Sequence, residues 1–176
     1  MDVEHFWEII GSSRQGMRQD RADGNMERQI DELRKLLLEL PSEEIVSFRD
    51  HLLERMNAAF RWDLWGAAYI IGGGCSDDGF TDFRGWLISM GQSSFEHALV
   101  DAESVADVAD APGVEDVFFE EFLHVPAYAY EASTGHEIPE YTGQFPSEPA
   151  GKKWSEEGDE LQRRFPRLWK KYVESR

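Results

Sequence analysis

The sequence predicts an all-α protein, a single-domain irregular helical bundle, on three observations. Apolar residues recur at spacings of three and four along most of the chain, which is typical of amphipathic helices. Convincing alternation of apolar and polar residues, the pattern of a half-buried strand, is not found. The length of 176 residues fits one domain of ordinary size. We therefore expect residues 1–176 to fold as one helical domain around one core.

The first half of this domain is expected to hold a short helix and then a helical hairpin at residues 26–71. In VEHFWEII the apolar residues lie on one stripe, and from residue 26 the apolar spacing of an amphipathic helix continues to Pro41. Ser42 follows as the predicted N-cap of a second helix. Its apolar stripe extends through Trp62, Trp65 and Tyr69 to Ile71. The run at residues 72–74 is three glycines, which predicts a Gly-rich helix break near 72–76.

The second half is predicted to contain shorter helices and one long loop. One helix starts near residues 76–78 and ends at Gly91, and QSSFEHALVDA forms another. VEDVFFEEFLHV begins a further helix that Pro126 kinks or splits and Gly135 stops. Residues 134–151 contain three prolines and three glycines and are expected to form an irregular loop. The amphipathic tail, residues 152–176, is predicted to begin at a capping Ser155 and to be interrupted at Pro166.

Charge is distributed unevenly along the chain. The formal net charge is -17, and the acidic half, residues 85–151, has thirteen acids and no lysine or arginine in 67 residues. Such a surface repels phosphate backbones and anionic lipids, so we expect no direct nucleic-acid partner and no membrane association. Two interpretations of the acidity stay open. It either maintains solubility or captures a basic protein, as an inhibitor or immunity protein would.

The longest strongly apolar run, AAYIIGGGC, is shorter than the roughly 20 residues of a membrane span. The segment MDVEHFWEII lacks the basic and apolar regions of a secretory signal, and the single cysteine cannot form an internal disulfide. We therefore expect a cytoplasmic location.

The central block, residues 61–91, is the most specific part of the sequence. It reads RWDLWGAAYIIGGGCSDDGFTDFRGWLISMG and holds three of the six tryptophans and the only cysteine. Its candidate residues for binding a ligand or partner are aromatic, acidic or basic. They are Trp62, Asp63, Trp65, Tyr69, Asp77, Asp78, Arg84 and Trp86.

The aromatic side chains of the central block have two interpretations. Trp62, Trp65 and Tyr69 share a helical stripe, which is typical of a core. Alternatively they line a cleft opposite Trp86, with Gly66–Ala68 as its floor and with Asp63 and Arg84 as its polar groups. Sparse polar groups in an apolar pocket are typical of small-ligand sites.

The charged residues of the block also have alternative roles. Asp77 and Asp78 fit the first turn of a helix, where they stabilise the helix dipole. Together with Asp82 they are weak candidates for holding a hard cation, although the calcium-loop and HExxH motifs are absent. Arg84 is expected either to pair with an aspartate or to anchor a ligand carboxylate. We expect no cofactor.

Two further features of the block favour a structural role. The run Gly72–Gly74 precedes a helix start, but no lysine follows it and GxxxxGK[ST] is absent, so a turn is favoured over a phosphate site. Cys75 is predicted to be a packing thiol rather than a nucleophile, because Asp77 and Asp78 oppose formation of a thiolate.

The segments WDLWGAAY, GGCSDD and FRGWLI, with FWEII near the start and RRFPRLW near the end, resemble an uncharacterised bacterial family recorded as a domain of unknown function. The resemblance implies no activity, substrate or catalytic residue. Two hypotheses of function therefore follow from the residues alone. The first is a binding or regulatory module that recognises a protein or a small ligand through the central block. The second is a metal-dependent hydrolase or transferase that uses Asp63, Asp77, Asp78 and Arg84.

Overall fold

The structure, a computed structural model, describes residues 1–157 and 159–175 and confirms the all-α prediction. The described residues form one compact domain of nine α-helices and one 3-10 helix, with a single isolated β-bridge and no strand. The α-helices are α1 (Val3–Ser13), α2 (Asn25–Leu38), α3 (Ser42–Ala58), α4 (Trp62–Gly72), α5 (Asp77–Ser89), α6 (Gln92–Val100), α7 (Glu120–Thr134), α8 (Glu160–Arg164) and α9 (Pro166–Tyr172). The 3-10 helix spans Ala102–Asp107.

Helix α7 lies at the centre of the bundle and packs against α2, α3 and α5. The core contains a large share of the aromatic residues, and six phenylalanines are less than 2% exposed. They are Phe6, Phe48, Phe80, Phe83, Phe119 and Phe122. Helix α4 lies to one side, where it contacts α9 and the 3-10 helix. The central block is thus placed between the core and the tail.

The helix ends at the glycine run follow the predicted local chemistry. Helix α4 ends at Gly72, and Gly73 adopts a left-handed conformation with φ of 70°. Helix α5 begins at Asp77, and the hydroxyl of Ser76 accepts a hydrogen bond from the Gly79 amide at 3.2 Å. Glycine tolerates positive φ and serine caps helix N-termini, so both ends have a direct physical cause. The predicted break near 72–76 is confirmed.

The prediction of one continuous helix from residue 42 to Ile71 is wrong. Helix α3 ends at Ala58, the chain is extended at Arg61, and α4 starts at Trp62. The cause is tertiary. The Trp62 amide donates to the Ala150 carbonyl at 2.9 Å, and the Ala150 amide donates to the Phe60 carbonyl at 2.8 Å. This bridge between distant segments interrupts the helix and brings the tail next to Trp62.

Two other helix starts lie later than predicted. The helix expected from Val114 begins only at Glu120, because the Asp116 carboxylate accepts from the next two amides and the Phe119 amide donates to the Asp82 carbonyl. This helix, α7, is not split by Pro126 and continues to Thr134, where Gly135 caps it. In the tail, the Ser155 hydroxyl accepts from the Glu157 amide rather than capping a helix. Helix α8 begins at Glu160.

The loop of residues 135–150 is irregular, as predicted, and lies along α3. Arg49 donates to the Pro139 carbonyl and Asn57 donates to the Gln144 carbonyl, each at 2.8 Å. The chain therefore follows α3 before its bridge to Trp62. Within the described part of the chain, no helix is both long and apolar enough to cross a membrane.

Candidate functional site

A stack of aromatic rings runs outward from the core along α4. Buried Phe80 lies 4.9 Å from Trp65, with their rings 11° from parallel. Trp65 in turn lies 5.1 Å from Trp62, with their rings 6° from parallel. Both tryptophans are only half-buried. Spacing of three residues on one helix places the two indoles on the same face, and the extended chain at residue 61 places the outer one at the surface.

Trp154 closes this stack from the tail. Its indole Nε1 donates to the Trp62 carbonyl at 2.7 Å, and its ring meets the Trp62 ring edge-on at 6.1 Å. Tyr69 packs against the other side of Trp154 at 5.0 Å. Because the Trp62 carbonyl belongs to the first turn of α4, this hydrogen bond holds the tail against the start of the helix. The outcome is a fixed aromatic corner between α4 and residues 153–157.

The corner borders an open cleft of about 730 Å³, which we call the aromatic cleft. Its lining combines the first turn of α4, the glycine turn and the tail. The lining residues are Trp62, Trp65, Cys75, Lys153, Trp154, Ser155, Glu156 and Glu157. This volume lies within the range of small-ligand sites, and the walls are aromatic with a few polar groups, as such sites usually are.

Charged groups of the tail supply the polar side of the aromatic cleft. The Lys153 ammonium lies 5.1 Å from the centroid of the Trp62 ring. The Tyr69 hydroxyl donates to the Glu156 carboxylate at 2.9 Å, and this hydrogen bond raises the pKa of Tyr69. Glu156 and Glu157 are both exposed. The cleft thus offers an aromatic face on which a cation already rests, together with two carboxylates.

Cys75 lines the cleft but is poorly suited to nucleophilic chemistry. Burial, with the nearby charges of Asp82 and Asp77, raises the pKa of the Cys75 thiol to about 11. The thiol is therefore protonated at neutral pH, and the thiolate is the reactive form. The Cys75 carbonyl accepts a hydrogen bond from the Trp65 indole at 3.0 Å, which ties the glycine turn to the aromatic stack.

Asp63 and Arg84, expected to pair or to share a cleft, have separate partners. Asp63 forms a two-point ion pair with Arg61, at 3.1 and 3.0 Å. Arg84 points into the interior and donates to the Met56 carbonyl at 2.8 Å. The interpretation of an Arg84–aspartate pair is therefore wrong, and neither residue lines the aromatic cleft.

The remaining candidates also lie away from the cleft. Asp77 and Asp78 are exposed in the first turn of α5, where they interact with the helix dipole. Trp86 is 2% exposed and packs against Phe83 in the core, so the prediction that it faces Trp62 is wrong. The prediction that Gly66–Ala68 forms the floor of the cleft is also wrong in part, because these residues are buried beneath Trp154 and the tail.

Asp82, the third weak metal candidate, is half-buried. Burial raises the pKa of its carboxyl, and the charges of Glu120, Asp78 and Glu121 raise it further. Over residues 1–157 and 159–175, no group of three or more His, Cys, Asp and Glu side chains is arranged to hold a metal ion.

The tail residues of the cleft were missed in the sequence. The sequence contains no pattern that indicates contact between α4 and the distant tail residues Lys153, Trp154, Glu156 and Glu157. One signal exists. Trp154 is a lone large aromatic in the charged run KKWSEE, where an amphipathic helix would show a repeated apolar stripe.

The fold and the cleft define a single-domain all-α protein with an open aromatic cleft between α4 and the tail. The chain belongs to the family described as "Protein of unknown function (DUF4240)", whose model matches residues 1–132. That range includes the α4 side of the cleft and ends before Trp154. No curated protein and no solved structure matches the chain significantly.

Proposed function

We propose that the protein is a binding protein that takes a positively charged group into the aromatic cleft. The group is a small ammonium ligand or a basic side chain of a partner protein. The observation that carries the proposal is the position of Lys153, whose ammonium rests 5.1 Å from the centroid of the Trp62 ring. A cation over an indole face gains electrostatic attraction from the ring quadrupole, and tryptophan is the best such partner.

The surrounding charge supports a cationic ligand. Glu156 and Glu157 belong to the lining of the aromatic cleft, and both carboxylates are exposed. The whole chain carries a formal net charge of -17. A field of this sign raises the local concentration of cations and speeds their association. The same chemistry suits a basic partner protein, for which this protein would act as an inhibitor or immunity-type partner.

A catalytic role is less well supported by the geometry. The enzyme hypothesis requires Asp63, Asp77, Asp78 and Arg84 to converge on one substrate. Asp63 instead pairs with Arg61, the two α5 aspartates face solvent, and Arg84 is buried. General acid–base chemistry needs groups within hydrogen-bond reach of the same reacting atom. A binding role requires only the cleft.

A pair of isosteric probes tests this proposal. Choline carries a trimethylammonium group, and 3,3-dimethylbutan-1-ol has the same shape with a neutral carbon at that position. Cation–π attraction of roughly 0.5–2 kcal/mol predicts that choline binds about 2- to 30-fold more tightly than the alcohol. Titration followed by calorimetry and by tryptophan fluorescence measures both affinities. Equal binding of the two probes, or binding of neither, would overturn the proposal.

Matched tryptophan variants locate the site. Trp62→Leu removes the ring under the cation and should abolish the preference for choline over the alcohol. Trp169→Leu is the control, because Trp169 is also half-buried but does not line the aromatic cleft. The control should keep the preference. For a basic partner, binding of a short lysine-rich peptide should weaken as ionic strength rises, because salt screens the acidic surface.

A further inference from the structure

Arg84 carries a buried charge without a charged partner. Its residue is 9% exposed, and the guanidinium donates to the Met56 carbonyl, to the Thr81 hydroxyl at 3.1 Å and to the Phe80 carbonyl at 3.3 Å. All three acceptors are neutral. Among the described residues, no carboxylate forms a salt bridge with it. Burial alone lowers the pKa of Arg84 to about 10.

Two aromatic rings offset part of the free-energy cost of burying the Arg84 charge. The guanidinium carbon lies 4.8 Å from the Phe60 ring centroid and 5.0 Å from that of Phe80. Such contacts attract a cation, but they do not neutralise it. A buried arginine normally has a carboxylate, because removal of a charge from water is costly unless an opposite charge accompanies it. The interior around Arg84 therefore favours an anion.

The space for an anion lies next to Arg84. A partly enclosed cavity of about 220 Å³, which we call the Arg84 cavity, opens between α3, α5 and the loop of residues 135–150. Its lining is basic at two positions and largely apolar elsewhere. The lining residues are Arg49, Leu52, Leu53, Met56, Asn57, Thr81, Arg84, Leu123 and Phe145.

The donors of the cavity are those that recognise a carboxylate. A guanidinium has five N–H groups, and Arg84 uses three of them within the described structure, which leaves one on each terminal nitrogen. Arginine binds carboxylates through such pairs of N–H groups. Arg49 adds a second guanidinium, which is fixed by the Asp50 carboxylate at 2.7 Å and by the Pro139 carbonyl.

We propose that the Arg84 cavity binds a small monocarboxylate with an apolar tail. The carboxylate meets the guanidinium groups of Arg84 and Arg49, and the tail lies against the leucine and methionine side chains of α3 and against Leu123. A volume of 220 Å³ corresponds to about seven waters at roughly 30 Å³ each, so the ligand has on the order of ten non-hydrogen atoms. This site is separate from the aromatic cleft, and its ligand has the opposite charge.

Benzoate and hexanoate are suitable probes, with benzyl alcohol and hexan-1-ol as neutral counterparts. Calorimetry and the thermal unfolding midpoint of the full chain report binding, because a ligand that binds only the folded state raises the midpoint. We expect at least one carboxylate to bind and to raise the midpoint at millimolar concentration. We expect its alcohol to bind at least about tenfold more weakly, because hydrogen bonds between charged groups are strong. No binding of either carboxylate, or equal binding of acid and alcohol, would overturn the proposal.

Three variants assign the effect to the cavity. Arg84→Met replaces the buried charge by an apolar side chain of similar length, and it should weaken binding at least about tenfold. Arg49→Gln should weaken it as well, and this variant tests the cavity independently because it leaves the buried hydrogen bonds of Arg84 in place. Arg55→Gln is the control for Arg49→Gln. Arg55 lies on α3 like Arg49, its side chain is similarly buried, and it pairs with Glu54 but does not line the cavity. Binding that is unchanged in Arg49→Gln would refute the assignment.

Discussion

The Lys153 ammonium lies over the ring of Trp62. The backbone of Trp62 also forms hydrogen bonds with residues on either side of Lys153 in the sequence. The Trp62 amide donates to the Ala150 carbonyl, and its carbonyl accepts from the Trp154 indole. These two hydrogen bonds fix residues 150–154 beside α4. The Lys153 side chain therefore competes intramolecularly for the aromatic cleft. A cationic ligand must displace the ammonium from the indole face of Trp62 or share that face with it.

This arrangement predicts that Lys153→Gln strengthens binding of a cation. Removal of the competing ammonium should increase choline affinity about twofold or more, because one cation–π contact no longer has to be broken. Calorimetric titration measures the change. Lys152→Gln removes the same charge from the neighbouring exposed position, outside the lining of the cleft. Equal gains in the two variants would show a general charge effect and would contradict the role of Lys153.

Close packing of α4 against the tail predicts a large effect of one added methyl group. A Cβ at Gly66 would lie 2.6 Å from the Phe165 ring and 3.2 Å from the Trp154 indole nitrogen. Overpacking of this kind costs about 1–3 kcal/mol. Gly66→Ala should therefore lower the free energy of unfolding by that amount, measured by urea denaturation. It should also disturb the aromatic cleft, because Trp154 is one of the displaced residues.

Gly11→Ala is the matched control for Gly66→Ala. Gly11 lies inside α1, and a Cβ there would meet no atom within 4 Å. Alanine has a higher helix propensity than glycine, so this variant should be more stable by up to about 1 kcal/mol. Opposite signs for the two substitutions would confirm that contact with the tail, and not helix propensity, makes Gly66 necessary. A stabilising Gly66→Ala would contradict the packing.

The thiol of Cys75 is expected to react slowly. Its pKa of about 11 leaves roughly 200-fold less thiolate at pH 8 than an ordinary thiol has, with a pKa of about 8.5. Alkylation by iodoacetamide, followed by mass spectrometry, should therefore accelerate about tenfold for each pH unit from pH 8 to pH 10. An ordinary thiol would level off near pH 9. The chain unfolded in urea is the control, and a folded rate equal to the unfolded one would refute the shift.

The sequence predicted several helix ends that depend on local chemistry, although Ser42 and Ser155 do not act as the predicted caps. Gly73 and Gly135 end their helices because glycine adopts positive φ, and Ser76 caps α5 through its own hydroxyl. The break between α3 and α4 was not predictable in this way. Apolar spacing continues from α3 into α4, and only the bridge to Ala150 interrupts it.

In the candidate site, too, local sequence patterns were predictive and tertiary contacts were not. Trp62 and Trp65 were recognised from their spacing on one helix, and both line the aromatic cleft. Trp154 was missed because its contact with Trp62 joins residues 92 positions apart. Arg84 was expected to meet an aspartate because acids are its neighbours in sequence. Its guanidinium instead crosses to the Met56 carbonyl of α3, a direction that helix packing determines.

The electrostatic environment of Asp82 predicts a stabilising substitution. Burial and the charges of Glu120, Asp78 and Glu121 raise the pKa of this carboxyl in the folded protein, and His124 opposes them. The folded state therefore binds the proton more tightly than the unfolded state, so the ionised carboxylate lowers stability as pH rises above the ordinary carboxyl pKa of about 4. Asp82→Asn removes this penalty.

At pH 7, Asp82→Asn should raise the unfolding midpoint by up to about 2–4 °C, which corresponds to at most about 1 kcal/mol for a partly exposed charge. The gain should disappear near pH 3, where the wild-type carboxyl is protonated in both states. Asp77→Asn is the opposing control, because Asp77 is exposed in the first turn of α5 and favours the helix dipole, so its loss should lower the midpoint. Calorimetric scans of both variants at the two pH values measure the effects. An Asp82→Asn gain that persists unchanged at pH 3 would show that packing, and not charge repulsion, is its source.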